Sequence, residues 1–220
     1  MHKKNLDILN KLDKQIKITI GILIFIMTTY AIFSTPLYGK DKCLQYEPYL
    51  KYYSQQVFKK DFPYWFLVGQ DKQESGCRFI ISYDGVGSES PAQITWRVWR
   101  RYLKPYGIYN LRTNSNFTKA QVLIMKNCKK QAYSSHLWVS VQIYNGGSLV
   151  NKEIERARKV LGIREVSHNQ ARRFCRRRII HFRNGQSISA CSINYNYSEK
   201  VFKYGKEYKE KGFNTSYKFW

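Results

Sequence analysis

Apolar positions in this chain of 220 residues fall into three patterns. The first is a continuous run from Ile18 to Met27, carried on through Thr28, Thr29 and Tyr30 to Phe33, with no charge between Lys17 and Lys40. Residues 18–39 are long enough to cross a bilayer core as a helix. Lys3, Lys4, Lys11, Lys14 and Lys17 precede the run, against Asp7 and Asp13. A basic leader ahead of an apolar segment is the pattern of an export signal or a membrane anchor. Pro36 and Gly39 then mark a break. Cleavage after Gly39 and retention as an anchor are both compatible with this pattern. Either way residues 1–39 form a cytoplasmic basic region and an apolar segment, and residues 40–220 are exported.

The second pattern is helical. Tyr46, Leu50, Tyr53 and Val57 recur at three- and four-residue steps and predict a helix over 46–59. Asp61-Phe62-Pro63 reads as a helix start, with a capping Asp and a Pro in the first turn. The helix it opens carries Tyr64 to Gly69, too apolar to be anything but buried, and ends near Glu74-Ser75-Gly76. Further helices are predicted around Trp96 to Leu103, from Phe117-Thr118 through Lys130, and on from Gln131 to Tyr144, where Asn145-Gly146-Gly147 breaks the run. The third pattern is a polar loop, residues 82–91, rich in Gly and Ser and ending in Pro91, with a small hairpin expected around Gly85. No internal repeat is present. The predicted class is mainly α.

Charge changes the picture of the partner. Lys plus Arg number 38 against 15 acidic residues, a formal net charge of +23, which favours a polyanionic partner or surface. Eleven Lys/Arg residues from Lys152 to Arg183 form a basic insertion at about 152–186. Three readings apply to it: a solvated helix face, attraction to an anionic wall or membrane, and nucleic-acid binding through Arg with interleaved aromatics. Export argues against nucleic acid unless the protein serves a DNA-transfer machine.

The five cysteines, Cys43, Cys77, Cys128, Cys175 and Cys191, include no Cys-x-x-Cys pair and no His at zinc-ligand spacing, so no metal site is expected. In an oxidising compartment they allow up to two disulfides and one thiol left over. Cys175 with Cys191 would staple a basic loop.

Four pieces carry the candidate chemistry. Glu74-Ser75 ends a buried helix; Gln93 closes the polar loop nineteen residues on; Tyr144-Asn145-Gly146-Gly147 follows another buried helix; Tyr197-Ser198-Glu199-Lys200-Val201 lies late. In this order they resemble the soluble lytic transglycosylase domain, a goose-lysozyme-like fold. That family has a Glu-Ser at the end of its first core helix, a G-A-x-G-L-M-Q loop, a Y-N-x-G turn and a late Y-x-x-x-V. The loop departs from the family, reading Gly87-Ser88-Glu89-Ser90-Pro91-Ala92-Gln93, which alters one wall of the expected cleft.

The resemblance, over about residues 46–208, implies a lysozyme-like domain behind the export segment. Its activity would be non-hydrolytic cleavage of the MurNAc–GlcNAc β-1,4 bond of peptidoglycan, leaving a 1,6-anhydro end. Glycosidic cleavage needs an acid that is still protonated near neutral pH, and desolvation provides one. Glu74, behind Trp65-Phe66-Leu67-Val68 on its own helix, is the candidate acid and then base. By resemblance Ser75 would orient it or touch the peptide-bearing sugar, and Gln93 would bond an N-acetyl or hydroxyl group. Tyr144 and Asn145 would shape the cleft floor, and Tyr197 would bond near Glu74 or the N-acetyl group. No cofactor is implied. The partners implied are glycan strands, the inner membrane if the leader is uncleaved, and a secretion, conjugation or phage apparatus. Periplasm or cell envelope is the expected location. Two other readings stay open: a hydrolytic muramidase using Glu89 or Asp84 as second carboxylate, and a basic wall- or nucleic-acid-binding scaffold with an inert Glu74. A nucleophilic Cys77 lacks a His partner in the sequence, with His136 expected mid-helix and His168 and His181 in the basic segment.

Overall fold

A computed structural model describes residues 41–82, 87–181 and 185–220, and residues 42–220 form one packed unit. The expected export segment, Asp84 and Gly85 lie outside the described residues. No described helix is long and apolar enough to cross a membrane.

The unit is mainly helical. After a short 3₁₀ turn come α1 (Glu47–Val57) and α2 (Trp65–Ser75). Two tiny strands, β1 (Ser88–Glu89) and β2 (Ile94–Thr95), pair antiparallel. Then follow α3 (Trp96–Leu103), α4 (Asn114–Gln131), α5 (Leu137–Gly146), α6 (Leu149–Leu161) and α7 (His168–Arg173). A second hairpin, β3 (Ile179–His181) with β4 (Ser187–Ser189), leads into α8 (Ala190–Gly205).

Helix α2 is the centre. Trp65 to Asp71 are all buried, so it is covered on every side rather than amphipathic. Its tightest neighbour is α8. A Cβ on Gly69 would fall 2.3 Å from the Gly205 amide nitrogen and the Val201 carbonyl, and one on Gly205 would fall 2.7 Å from Phe66 Cα. The two backbones therefore touch, which only paired glycines permit. With Gly69 at Gly205, the opposite running sense of the helices brings Glu74 to Tyr197. Helix α1 packs on α4, α4 on α5, and α5 on α8, closing the bundle around one apolar core.

Several local expectations change. Asp61 does not cap α2. Its carboxylate accepts from the backbone N–H (2.8 Å) and hydroxyl (2.5 Å) of Ser216 and so ties down the C-terminal tail, while Tyr64 holds the N-cap position without a side-chain capping bond. Helix α4 starts earlier than Phe117, because the Thr113 hydroxyl accepts from Asn116 N–H as an N-cap. The predicted continuation through residues 131–144 is interrupted at 132–136, so His136 is the N-cap residue of α5 and not mid-helix. The tail supplies what that helix start lacks: Lys218 and Phe219 carbonyls accept from Leu137 and Trp138 N–H. The described hairpin joins β1 to β2 through residues 90–93, and the hairpin expected around Gly85 lies outside the described residues.

The basic stretch 152–186 is built into the unit. Ile154, Ala157, Val166 and Ala171 are in the core, and the Ser167–Gln170 capping box starts α7. His168 is buried between Trp138, Tyr195 and Trp220, with Nε2 3.2 Å from Ser198 Oγ. Cys43 pairs with Cys77 and Cys175 with Cys191, leaving Cys128 buried and free.

Candidate active site

Helix α2 ends where Gly76 takes the left-handed conformation (φ 62°) and its N–H turns back to the Asp71 and Lys72 carbonyls. The Cys77 N–H also reaches Asp71 O, and the disulfide to Cys43 pins the exit. Glu74 thus sits in the last turn of a buried helix, one residue before its last.

The loop is fastened over that end by two hydroxyls. Ser75 Oγ donates to Pro91 O (2.9 Å) and accepts from Arg78 N–H (3.0 Å). Tyr144, in the last turn of α5, donates its hydroxyl to Ala92 O (2.8 Å). On either side of these anchors Ser90 and Gln93 hold positive φ (73° and 49°), a conformation costing non-glycine residues roughly 1–2 kcal/mol each. The Gln93 amide donates to Ile80 O (3.0 Å) and Ser90 O (2.9 Å). Its carbonyl oxygen is then the atom it can offer to a ligand.

These elements enclose a cavity of about 360 Å³ lined by Glu74, Ser82, Ser88, Gln93, Thr95, Tyr144 and Asn145. Four of the six sequence-predicted site residues therefore share one wall. Tyr197 stands behind them: its hydroxyl donates to Glu74 Oε1 at 2.5 Å. Ser75 is buried against Pro91 and does not line the cavity; its place is under the loop. Ser88 Oγ and Thr95 Oγ1 lie 2.7 Å apart across the hairpin and add two cavity-facing residues that the motifs did not single out. Glu74 is the one carboxylate in the described lining. Glu89, in β1, is not part of it, and Asp84 lies outside the described residues.

Glu74 keeps part of its surface at the cavity yet is closely surrounded by protein. Desolvation pushes its pKa from 4.5 up to about 7, with the Tyr197 hydrogen bond pulling the other way. It is therefore substantially protonated at neutral pH. Tyr197 and Tyr144 are pushed well above the usual phenol range by burial and by the Glu74 charge, so both stay neutral hydrogen-bond donors.

Behind Tyr197 runs a buried amide relay that the motifs did not reveal. Gln121 Nε2 donates to Gln70 Oε1 (3.1 Å), and Gln70 Nε2 donates to Tyr197 Oη (3.1 Å). Gln70 lies one turn before Glu74 on α2, so its polar character inside an apolar helix was the available signal. Asp71, on the same helix, is fully buried, and neither of its oxygens has a hydrogen-bond partner among the described residues. Burial first, and the nearby Glu74 charge second, raise its pKa well above the carboxylate range, so it stays neutral.

The other nucleophile candidates are accounted for. Cys77 is disulfide-bonded, and burial raises the Cys128 thiol to about 12. Among the described residues no cluster of three His, Cys, Asp or Glu could hold a metal ion. Comparison with protein-family models, curated proteins and solved structures finds no match to this chain.

Proposed function

We propose that the chain is an exported lytic transglycosylase with a lysozyme-like fold, cleaving the MurNAc–GlcNAc β-1,4 bond of peptidoglycan with Glu74 as its single acid and base. One observation carries this reading: a carboxyl held near pKa 7 opens on a cavity whose other described lining residues are uncharged hydroxyl- and amide-bearing side chains. An uncharged lining of alternating donors and acceptors suits a polyhydroxylated, acetamido-bearing ligand. A protonated carboxyl suits the bridging oxygen between two sugars.

The steps balance without water. Glu74 gives its proton to the glycosidic oxygen as the C1–O bond breaks. The acetamido carbonyl of the same sugar attacks C1 and forms an oxazolinium ring. The Glu74 carboxylate then removes the 6-hydroxyl proton, O6 attacks C1, and the ring opens back to the acetamide. Glu74 ends protonated, ready for another cycle. Tyr197 keeps a donor on Glu74 Oε1 at every stage and stabilises the carboxylate formed midway. Gln93 and Asn145 orient the acetamido and hydroxyl groups, and Tyr144 holds the loop that presents Gln93. The two disulfides fit an oxidising compartment, in keeping with the leader-like N-terminus.

The test is a digest of purified sacculi with the full-length chain, read by mass spectrometry beside Glu74→Gln. Muropeptides lighter by one water, absent with the variant, are the expected result. Fully hydrated products would replace the reading with a hydrolytic muramidase. Sacculus binding with no products from the wild type would replace it with a scaffold.

A further inference from the structure

A second cavity, of about 560 Å³, opens beside the first, and Lys152, Arg156, Arg176, Arg177 and Arg178 line it together with one carboxylate, Glu153. The carboxylate is already occupied. Arg177 Nε donates to Glu153 Oε1 at 2.6 Å, and the Tyr195 hydroxyl donates to Oε2 at 2.6 Å. The pair is nearly dry, with side chains 6% and 1% exposed. Four cations of the lining are left without a carboxylate in it.

Arg177 itself is incomplete. Its Nη1 is buried and has no hydrogen-bond partner among the described residues. A desolvated guanidinium N–H without an acceptor is costly, and an oxyanion entering the cavity would relieve it. The site is rigid on its inner side. The Arg177 backbone N–H lies 3.4 Å from Cys191 Sγ of the Cys175–Cys191 disulfide, and Arg156 Nε is held by Phe174 O at 3.1 Å, which leaves the Arg156 terminal nitrogens to face a ligand.

The cavity adjoins the glycan cleft. Asn145 lines the cleft and Asn194 lines the basic cavity, and Asn145 Nδ2 donates to Asn194 Oδ1 at 3.0 Å. A Cβ on Gly146, which also lines the basic cavity, would fall 2.3 Å from Asn194 Oδ1, so the glycine lets the two walls meet. One ligand with an uncharged part and an anionic branch can occupy both cavities.

We propose that this cavity is a carboxylate-binding subsite that takes the acidic groups of the peptide branching from the glycan strand. The proposal rests on the peptidoglycan reading of the Glu74 cleft. Peptide-bearing muramoyl units combine the two required features: a neutral acetamido sugar and, a few bonds away, a chain ending in carboxylates. Arg177 Nη1 is the buried donor, Arg156 a second fixed one, and Lys152 and Arg176 are exposed cations at the rim.

The experiment measures binding of soluble glycan strands to the full-length chain carrying Glu74→Gln, so that no cleavage intervenes. Strands with intact peptides are compared with strands stripped of peptide by an amidase. The same pair is measured on a background that adds Lys152→Gln and Arg176→Gln, which keeps the Glu153–Arg177 pair intact. Peptide-bearing strands should bind about tenfold more tightly than stripped strands, from two partly screened charge contacts. The rim variant should reduce that difference without changing the affinity for stripped strands, and added salt should shrink it. Equal affinity for both strands overturns the subsite while leaving the cleft reading in place. Failure of either strand to bind overturns both. Competition by phosphatidylglycerol vesicles or inorganic phosphate, with none by citrate, overturns the carboxylate assignment and points to a phosphate ligand.

Discussion

Replacing Glu74 by Gln should stabilise the protein, and by an amount that depends on pH. A carboxyl whose folded pKa lies above its unfolded value binds its proton more tightly when folded, so folding stability falls as pH rises between the two values. For Glu74 that window runs from 4.5 to about 7. Above it the wild type carries the full cost of a desolvated carboxylate, roughly 3 kcal/mol at about 1.4 kcal/mol per unit. Below pH 4.5 the cost vanishes. Gln is nearly isosteric, keeps an oxygen for the Tyr197 hydroxyl, and does not ionise. Burial, the larger cause of the raised Asp71 pKa, is unchanged in the variant. Urea or thermal unfolding at pH 5 and pH 8 measures the effect. At pH 8 the variant should gain about 3 kcal/mol, or roughly 6–12 °C for a unit of this size, while at pH 5, near the foot of the window, the difference should shrink to under about 1 kcal/mol. A stability difference that is the same at both pH values would refute the assignment of a raised Glu74 pKa, and with it the physical basis for Glu74 as an acid.

Tyr197→Phe should move the Glu74 pKa upward by about one unit or more, since the lost hydrogen bond favoured the carboxylate; carbon-13 NMR of labelled glutamate side chains reads the shift directly. In the wild type, kcat/KM on sacculi should fall about tenfold per pH unit above pH 7, because the protonated acid is the active form, and in Tyr197→Phe that limb should begin at higher pH. Gly69→Ala should cost at least 2–3 kcal/mol in urea unfolding, because its Cβ meets backbone rather than a yielding side chain. Glu153→Ala should cost about 3–5 kcal/mol by leaving Arg177 buried and unpaired. Replacing Glu153 and Arg177 together with Leu and Met should recover much of that loss.

Much of the candidate site could be read along the chain. Glu74 at the end of a buried helix, Gln93 at the close of a Gly/Ser loop, and Tyr144-Asn145 at a helix end each announced themselves by local pattern, and the structure brings them to one cavity. Ser75 shows the limit of that approach. Its polarity and position marked it, but its hydroxyl is directed at Pro91 O, a partner sixteen residues away. Helix boundaries failed where a distant segment intervened. Asp61 looks like a cap until the tail offers it Ser216, and the break before α5 exists because Lys218 and Phe219 pair with its first amides.

By itself the sequence determined the mainly helical class, the apolar run near the N-terminus, the surplus of positive charge and the position of one acid candidate. Periodicity, charge balance and Gly/Pro placement are local or additive properties, and those outcomes depend on little else. Tertiary structure decided what no local pattern encodes. It set Tyr197 on Glu74 through the Gly69–Gly205 crossing, hid the Gln121–Gln70 relay and the neutral Asp71 behind them, and drew the basic stretch into the core as a cavity around the Glu153–Arg177 pair. Desolvation and pairing arise only when residues distant along the chain exclude water from one another. For that reason the pKa of Glu74, unlike its position, is a property of the fold.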